Sequence, residues 1–205
     1  MSPTAEQLAA ELEPLAVADF IPLPPPPKPA PVKPVAAPAA PAAEGAAAAT
    51  AGATAPTPVP AAPATPPPPP KPVQICDFAA KGVNLDACVR TAEVVAAAQI
   101  MLRHGFAIDT VTGVDWMAQG LMEVVYDYFH PLNGLRVAIR CRLARDAGEV
   151  PTISGVFQGA NWHERETNDF FGIRFTGHPN LTPFLLPEDA TYHPLRKDFT
   201  GESAQ

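Results

Sequence analysis

The chain has 205 residues, 28 of them proline, and a formal net charge of −7. That acidic balance argues against nucleic acid as a main partner, because a phosphate backbone demands a basic patch. No apolar run approaches the ~20 residues that span a bilayer, and Cys76, Cys88 and Cys141 are too few and too scattered for a disulfide framework or a cysteine metal site.

The start of the chain lacks a basic region followed by an apolar core, and Glu6, Glu11, Glu13 and Asp19 speak against a transit peptide. A reducing, bacterial-type cytoplasm fits best. Residues 1–20 read as a short helix to about Glu13: Ser2 can cap it, Pro3 suits its first position, and Thr4 with Gln7 offers a capping box one turn on. Leu8, Leu12 and Leu15 share one face. A lone helix of this length is marginal in water, which leaves a frayed tail or a docking peptide that orders on a partner. Residues 21–74 are almost wholly proline and alanine, without apolar periodicity, and predict a disordered linker. Its Pro24–Pro27 and Pro66–Pro70 runs suit a reader of polyproline II, although composition alone generates such runs.

One small domain is expected over 75–172. Asn84 and Asp86 as caps, Gly105 as the terminating glycine, and Val94, Val95, Ala98, Met101 and Leu102 at helical spacing predict a helix from about Asp86 to His104. Phe106 to Trp116 reads as a strand. Met122, Val124, Tyr126 and Tyr128 then alternate with Glu123 and Asp127, and Leu135, Val137, Ile139, Cys141 and Leu143 alternate with Arg136, Arg140 and Arg142. The turn Pro131-Leu132-Asn133-Gly134 joins them. Pairing His130 with Leu135 sets Tyr128 against Val137, Tyr126 against Ile139, Val124 against Cys141 and Met122 against Leu143. The other face then matches Glu123 with Arg142 and sets Asp127 diagonal to Arg136 and Arg140, and a one-residue slip destroys both sets.

Ile153 to Phe157 suggests a further short strand. Asn161 with Glu164 predicts a capping box opening a helix that Gly172 closes. Pro179, Pro183, Pro187 and Pro194 leave 173–205 an extended tail, whose Ile173, Phe175, Leu181, Phe184, Leu185 and Leu186 need cover, preferably on another protein. The fold class expected is α+β: a small two-layer α/β domain, a mainly antiparallel sheet and an extended C-terminal tail.

Chemistry is sparse. His163, Glu164, Arg165, Glu166 and Asp169 lie close together, with His178 and His193 in the tail, but His-Glu-Arg-Glu-Thr does not place two imidazoles on one helical face. Cys141 faces the expected core. Trp116 and Trp162 suit core or interface better than cofactor stacking, and Arg196-Lys197-Asp198 suits an ion-paired contact to a partner subunit better than an anion site. The residues by themselves describe a domain without an active site; a freestanding metal-dependent enzyme is the alternative from another class.

Gly159-Ala160-Asn161-Trp162-His163-Glu164-Arg165-Glu166, Asp169-Phe170-Phe171-Gly172-Ile173, Gly177-His178-Pro179 and His193-Pro194-Leu195-Arg196-Lys197-Asp198-Phe199 together resemble the C-type subunit family of NADH:quinone oxidoreductase (respiratory complex I), over about Phe106 to Phe199. The resemblance implies a non-catalytic subunit of the peripheral arm, supporting electron transfer to quinone coupled to proton translocation. It also implies a location on the cytoplasmic face of the bacterial inner membrane, with membrane contact only through the complex. No cofactor would be bound by this chain, while the complex carries flavin and iron–sulfur clusters. The implied partners are the quinone-site subunit related to the hydrogenase large subunit, along which the tail packs, and neighbouring iron–sulfur subunits. Glu164, Arg165, Glu166, Asp169, Phe171, Gly172, Ile173, Gly177, His178, Pro179, Pro194, Leu195, Arg196, Lys197 and Asp198 become structural and interface residues, with none catalytic and none metal-ligating. Thr182-Pro183 replaces a basic pair common in the family, and Thr167 and Asn168 stand where it favours an apolar or aromatic residue. Leu185-Leu186-Pro187-Glu188-Asp189 resembles the equivalent subunits of complex-I-like membrane-bound nickel–iron hydrogenases, whose complexes carry a nickel–iron centre.

Overall fold

The computed structural model describes residues 3–20, 22 and 71–201. Of the linker expected over 21–74, all but 22 and 71–74 lies outside the described residues. The described residues 3–20 and 71–201 form one compact unit. A five-stranded sheet in the order β1-β2-β5-β4-β3 is built from β1 (Val73–Ile75), β2 (Leu85–Cys88), β3 (Ala107–Trp116), β4 (Leu121–Phe129) and β5 (Arg136–Ala144). Every pairing is antiparallel except β2 with β5. Helices α1 (Ala5–Leu12), α3 (Val94–Arg103) and α4 (Ala160–Phe171) contribute to one apolar core with it, and α2 (Phe78–Lys81) is a single turn between β1 and β2. The class is α+β with a mainly antiparallel sheet, as the residue pattern predicts.

The β4–β5 hairpin has the expected register, pair for pair from Tyr128 with Val137 to Met122 with Leu143, and His130 N–H donates to Leu135 O at 2.8 Å. The even-numbered residues of β4 and the odd-numbered residues of β5 enter the core, with Tyr126, Tyr128, Met122 and Ile139 fully buried. On the opposite face Glu123 is only 2 % exposed. It accepts from Arg142 Nε at 3.3 Å, Arg140 Nη1 at 3.4 Å and Trp116 Nε1 at 3.3 Å, while Arg140 Nε also donates to Asp86 at 2.8 Å. Arginine stems lying along the sheet keep Val125 and Ala138 dry on this face.

Helix α1 starts at Ala5 rather than at Pro3. Thr4 is its cap: Gln7 N–H donates to Thr4 Oγ1 and Thr4 N–H to Gln7 Oε1, while Pro3 O accepts from Asn133 Nδ2. Leu8 and Leu12 are fully buried in the domain's own core. Around them Glu11 accepts from His104 at 2.8 Å and from Arg103 at 3.3 Å, and Arg90 donates to Pro14 O and Ala16 O, both at 3.1 Å.

The helix expected from Asp86 to His104 forms only over its second half. Residues 85–88 pair with β5, a 3₁₀ turn covers Thr91–Glu93, and α3 begins only at Val94. Asn84 and Asp86 do not cap; Asn84 Oδ1 accepts from Arg136 N–H and Asp86 holds Arg140. Gly105, with φ +77°, follows the helix end as expected. The strand expected over Ile153–Phe157 is replaced by turns, since Val156 and Phe157 N–H both donate to Ile153 O. Ile153, Val156 and Phe157 follow a helical i, i+3, i+4 spacing rather than alternation. The strand forms earlier, as β6 (Glu149–Pro151), in a parallel two-stranded ribbon with β7 (Arg174–Thr176). The extended tail therefore begins after β7; the first of the tail's prolines is Pro179, so nothing prevents residues 174–176 from pairing.

Leu8→Ala removes a fully buried side chain and is expected to cost about 2–5 kcal/mol. Urea unfolding of the full chain measures it as a lower midpoint at unchanged slope; wild-type stability would show that α1 contributes nothing to the core.

Candidate functional site

Helix α4 buries Ala160, Glu164, Thr167 and Phe171 along one stripe, at the i, i+4, i+7, i+11 spacing of a packed face. Its landing on β3 is set by Gly113, where a Cβ would lie 2.6 Å from the Phe171 ring, so only glycine lets the ring reach the strand backbone. Thr167 Oγ1 donates to Val111 O at 3.3 Å. The cap residue is Gly159, without a side-chain bond, and Asn161 lies inside the helix. The capping box expected of Asn161 and Glu164 is therefore absent, because Glu164 points inward instead.

The Glu164 carboxylate is fully buried. Oε1 accepts from Ile153 N–H at 2.8 Å and Oε2 is hydrogen-bonded to the Thr152 hydroxyl, which Ser154 meets at 2.8 Å. Burial pushes its pKa up to about 7, against the lowering effect of these two donors. His178 Nε2 lies 3.8 Å away, but burial lowers the imidazole's pKa. Its hydrogen bonds suit the neutral ring: Asn180 N–H donates to Nδ1 at 3.1 Å, and Nε2–H donates to Asn161 O at 3.2 Å. Glu164 thus has hydroxyl, amide and neutral imidazole around it rather than a cation.

The other motif residues fasten the C-terminal segment to the domain. One oxygen of Asp169 accepts three backbone N–H groups, from Phe184 at 2.7 Å, Leu185 at 2.8 Å and Leu186 at 3.3 Å. Arg165 donates to Thr182 O and Pro183 O at 3.0 and 2.9 Å and lies 5.0 Å from the Phe184 ring centre. Further along, His193 Nδ1–H donates to Asp169 O, Leu195 N–H to Phe170 O and Arg196 Nε to Phe171 O, at 2.8, 3.2 and 2.7 Å. They close over Gly172, whose φ is +72° and whose added Cβ would sit 2.5 Å from His193 Nε2 and 2.8 Å from Arg196 Nη2. Ile173 is buried, and Gly177 turns the chain at φ +80°. Glu166 makes no hydrogen bond or ion pair among the described residues. Leu195, beside Pro194, is 53 % exposed, as is Trp162 at 58 % and Leu185 at 55 %.

A second fastening joins the end of the segment to the sheet. Arg145 forks onto Asp115 at 2.8 and 2.9 Å and onto Asp198 at 3.1 and 2.6 Å, and Lys197 N–H donates to Asp115 at 2.8 Å. The Arg145 hydrogen bonds hold both carboxyls below the usual carboxylate range. Lys197 Nζ lies 5.9 Å over Trp116. Asp115 and Arg145 were not among the residues expected at the site. Their signal is the hairpin register itself: extended beyond Leu143, it places Arg145 on the core face, where Asp115 also points.

Among the described residues no three His, Cys, Asp or Glu side chains group to hold a metal ion, and no helix is long and apolar enough to cross a membrane. Cys88 and Cys141 are buried; burial pushes the Cys88 thiol up to about 11 and raises that of Cys141, so both are neutral packing groups.

The family model described as "Respiratory-chain NADH dehydrogenase, 30 Kd subunit" matches residues 87–205. The chain belongs to this family. The C-type subunit of the NADH-quinone oxidoreductase of Roseiflexus sp. (strain RS-1) is 40 % identical over 121 residues, covering 56 % of this chain and 69 % of that protein. The C-type subunit of the F(420)H(2) dehydrogenase of Methanosarcina mazei is 41 % identical over 96 residues, covering 45 % of this chain and 59 % of that protein. A protein in the structure of the membrane-bound sulfane sulfur reductase, an archaeal respiratory membrane complex, superposes with a TM-score of 0.54 at 29 % identity, covering 57 % of this chain and 72 % of that one. This protein is thus a C-type subunit of the complex-I-like dehydrogenase family. The family match opens within β2, so α1 and β1 lie outside it.

Glu164 binds its proton more tightly in the folded chain, at about 7, than at the ordinary value of 4.5. The contribution of Glu164 to stability is therefore fullest below 4.5, falls as pH rises toward 7 and levels above it. Glu164→Gln keeps an acceptor for Ile153 and cannot ionise, so urea midpoints at about pH 5 and about pH 8 should converge in the variant; an unchanged slope would assign the dependence to another group. Gly172→Ala forces an unfavourable φ and a clash with His193, and should cost at least about 1 kcal/mol. Faster proteolytic cleavage beyond Gly177 would report the released segment.

Proposed function

We propose that this chain is a non-catalytic subunit of the peripheral arm of an NADH:quinone oxidoreductase. There it supports electron transfer to quinone coupled to proton translocation, from the cytoplasmic face of a bacterial inner membrane. The observation that carries this reading is the use made of the motif residues. Asp169, Arg165, His193, Arg196 and Asp198 hold the C-terminal segment against α4 and the sheet, while Trp162, Leu185 and Leu195 stay exposed. A segment fastened by its backbone and displaying apolar side chains is built for contact with another surface. The partners proposed are the quinone-site subunit related to the hydrogenase large subunit and neighbouring iron–sulfur subunits. Flavin and iron–sulfur clusters belong to the rest of the complex, and the role of this chain is position rather than redox chemistry.

A second reading keeps the role and changes the reaction: the equivalent subunit of a complex-I-like dehydrogenase or membrane-bound hydrogenase. It is favoured by the relatives named for F(420)H(2) dehydrogenase and for sulfane sulfur reductase and by Thr182-Pro183, here a receptor for Arg165.

Purification of the tagged full chain from native membranes tests both. Co-purifying flavin and iron–sulfur subunits with NADH:quinone activity are expected; the same assembly without NADH activity, oxidising another donor or evolving hydrogen, would select the second reading. Recovery of the chain alone with stoichiometric bound metal would overturn both in favour of a freestanding enzyme.

A further inference from the structure

A cleft of about 880 Å³ opens between α3, the turns of residues 152–158, the first turn of α4 and the residues after β7. None of its lining residues is ionisable, in a chain 17 % charged. Polar and apolar surface are mixed in it, with the apolar part somewhat the larger. Gln99, Gln158 and Asn161 are the amide-bearing residues of its lining, which they share with the apolar Val156, Trp162 and Pro179. The three amides and the Trp162 indole N–H make no hydrogen bond among the described residues. The Thr152 and Ser154 hydroxyls on the same surface are by contrast engaged with each other and with Glu164.

This lining selects by chemistry. A charged ligand would meet no counter-charge on this lining, which favours an uncharged ligand over phosphates, carboxylates and ammonium groups. The carboxamide of Asn or Gln offers the same donor and acceptor as a peptide group, and an extended backbone presents one N–H and one C=O at each residue. Trp162 supplies a flat apolar surface for a proline or aliphatic side chain. The cleft also runs on into exposed apolar surface, since Trp162 meets Phe184 edge-on at 4.8 Å and Leu185 beyond it is exposed.

We propose that this cleft receives an extended, uncharged segment of a partner subunit, its backbone held by the Gln99, Gln158 and Asn161 amides, with Trp162 covering one apolar side chain. The proposal rests on the assembly reading above and adds where, and by what chemistry, a partner is gripped.

The test uses the full chain in its purified complex, with a photoreactive benzoylphenylalanine at Gln99 or at Gln158 and, as a control, at Leu132, which is 86 % exposed on the hairpin turn. Irradiation should give an adduct from the cleft positions, absent from the control, that maps to one uncharged segment of a partner. Cleft adducts confined to this chain, to lipid or to carbohydrate, or no adduct in an intact complex, would overturn the proposal. Independently, Trp162→Ala and Gln158→Glu should lower retention of that partner in a salt wash about tenfold at an unchanged unfolding midpoint; undiminished retention counts against it. A wild-type chain that purifies without partners would instead overturn the assembly reading itself.

Discussion

A carboxylate carried into a protein interior must find donors there or give up its charge, and α4 carries two. Asp169 finds three backbone N–H groups in the segment after Thr182. Glu164 finds a hydroxyl and one N–H from the turn after β6, which leaves its proton affinity high. The course of the backbone on both sides of α4 follows from these needs. Residues 152–154 must come up to one carboxylate and residues 184–186 to the other, and the Phe171 ring on Gly113 fixes where the helix lies against β3.

The sheet beneath obeys the same rule on its other face. Glu123 is as buried as many core residues, but its cover consists of arginine side chains that also supply its hydrogen bonds. A sheet face that needs no second layer of helices is closed by its own charges. Arg145 extends this logic to the sheet's corner, joining a strand carboxylate to one near the C-terminus.

The residue pattern revealed the hairpin because its two faces check each other: apolar pairs and opposite charges agree in a single register. It revealed Gly172 and Gly105 because a left-handed residue after a helix has few substitutes. It misassigned residues 86–88, which suit a buried strand as well as a helix, and only β5, some fifty residues on, decides between them. Glu164 satisfied two spacings at once, that of a capping box and that of an inward stripe, and the start of α4 at Ala160, with Gly159 as its cap, decided for the second. At the site, the segments were recognisable but not the pairings, since Asp115 and Arg145 lie 30 positions apart and meet only once the register is continued past the strand.

Asp169 grips main-chain amides rather than side chains, and this separates two demands that usually compete at one position. Any residue except proline brings an N–H to positions 184, 185 and 186, so the identity of the side chain there is free of the duty of anchoring. Sequence change at Phe184, Leu185 or Leu186 can therefore retune what the segment displays without loosening its hold. A fold of this kind can exchange one assembly for another over evolutionary time while its own architecture stays the same.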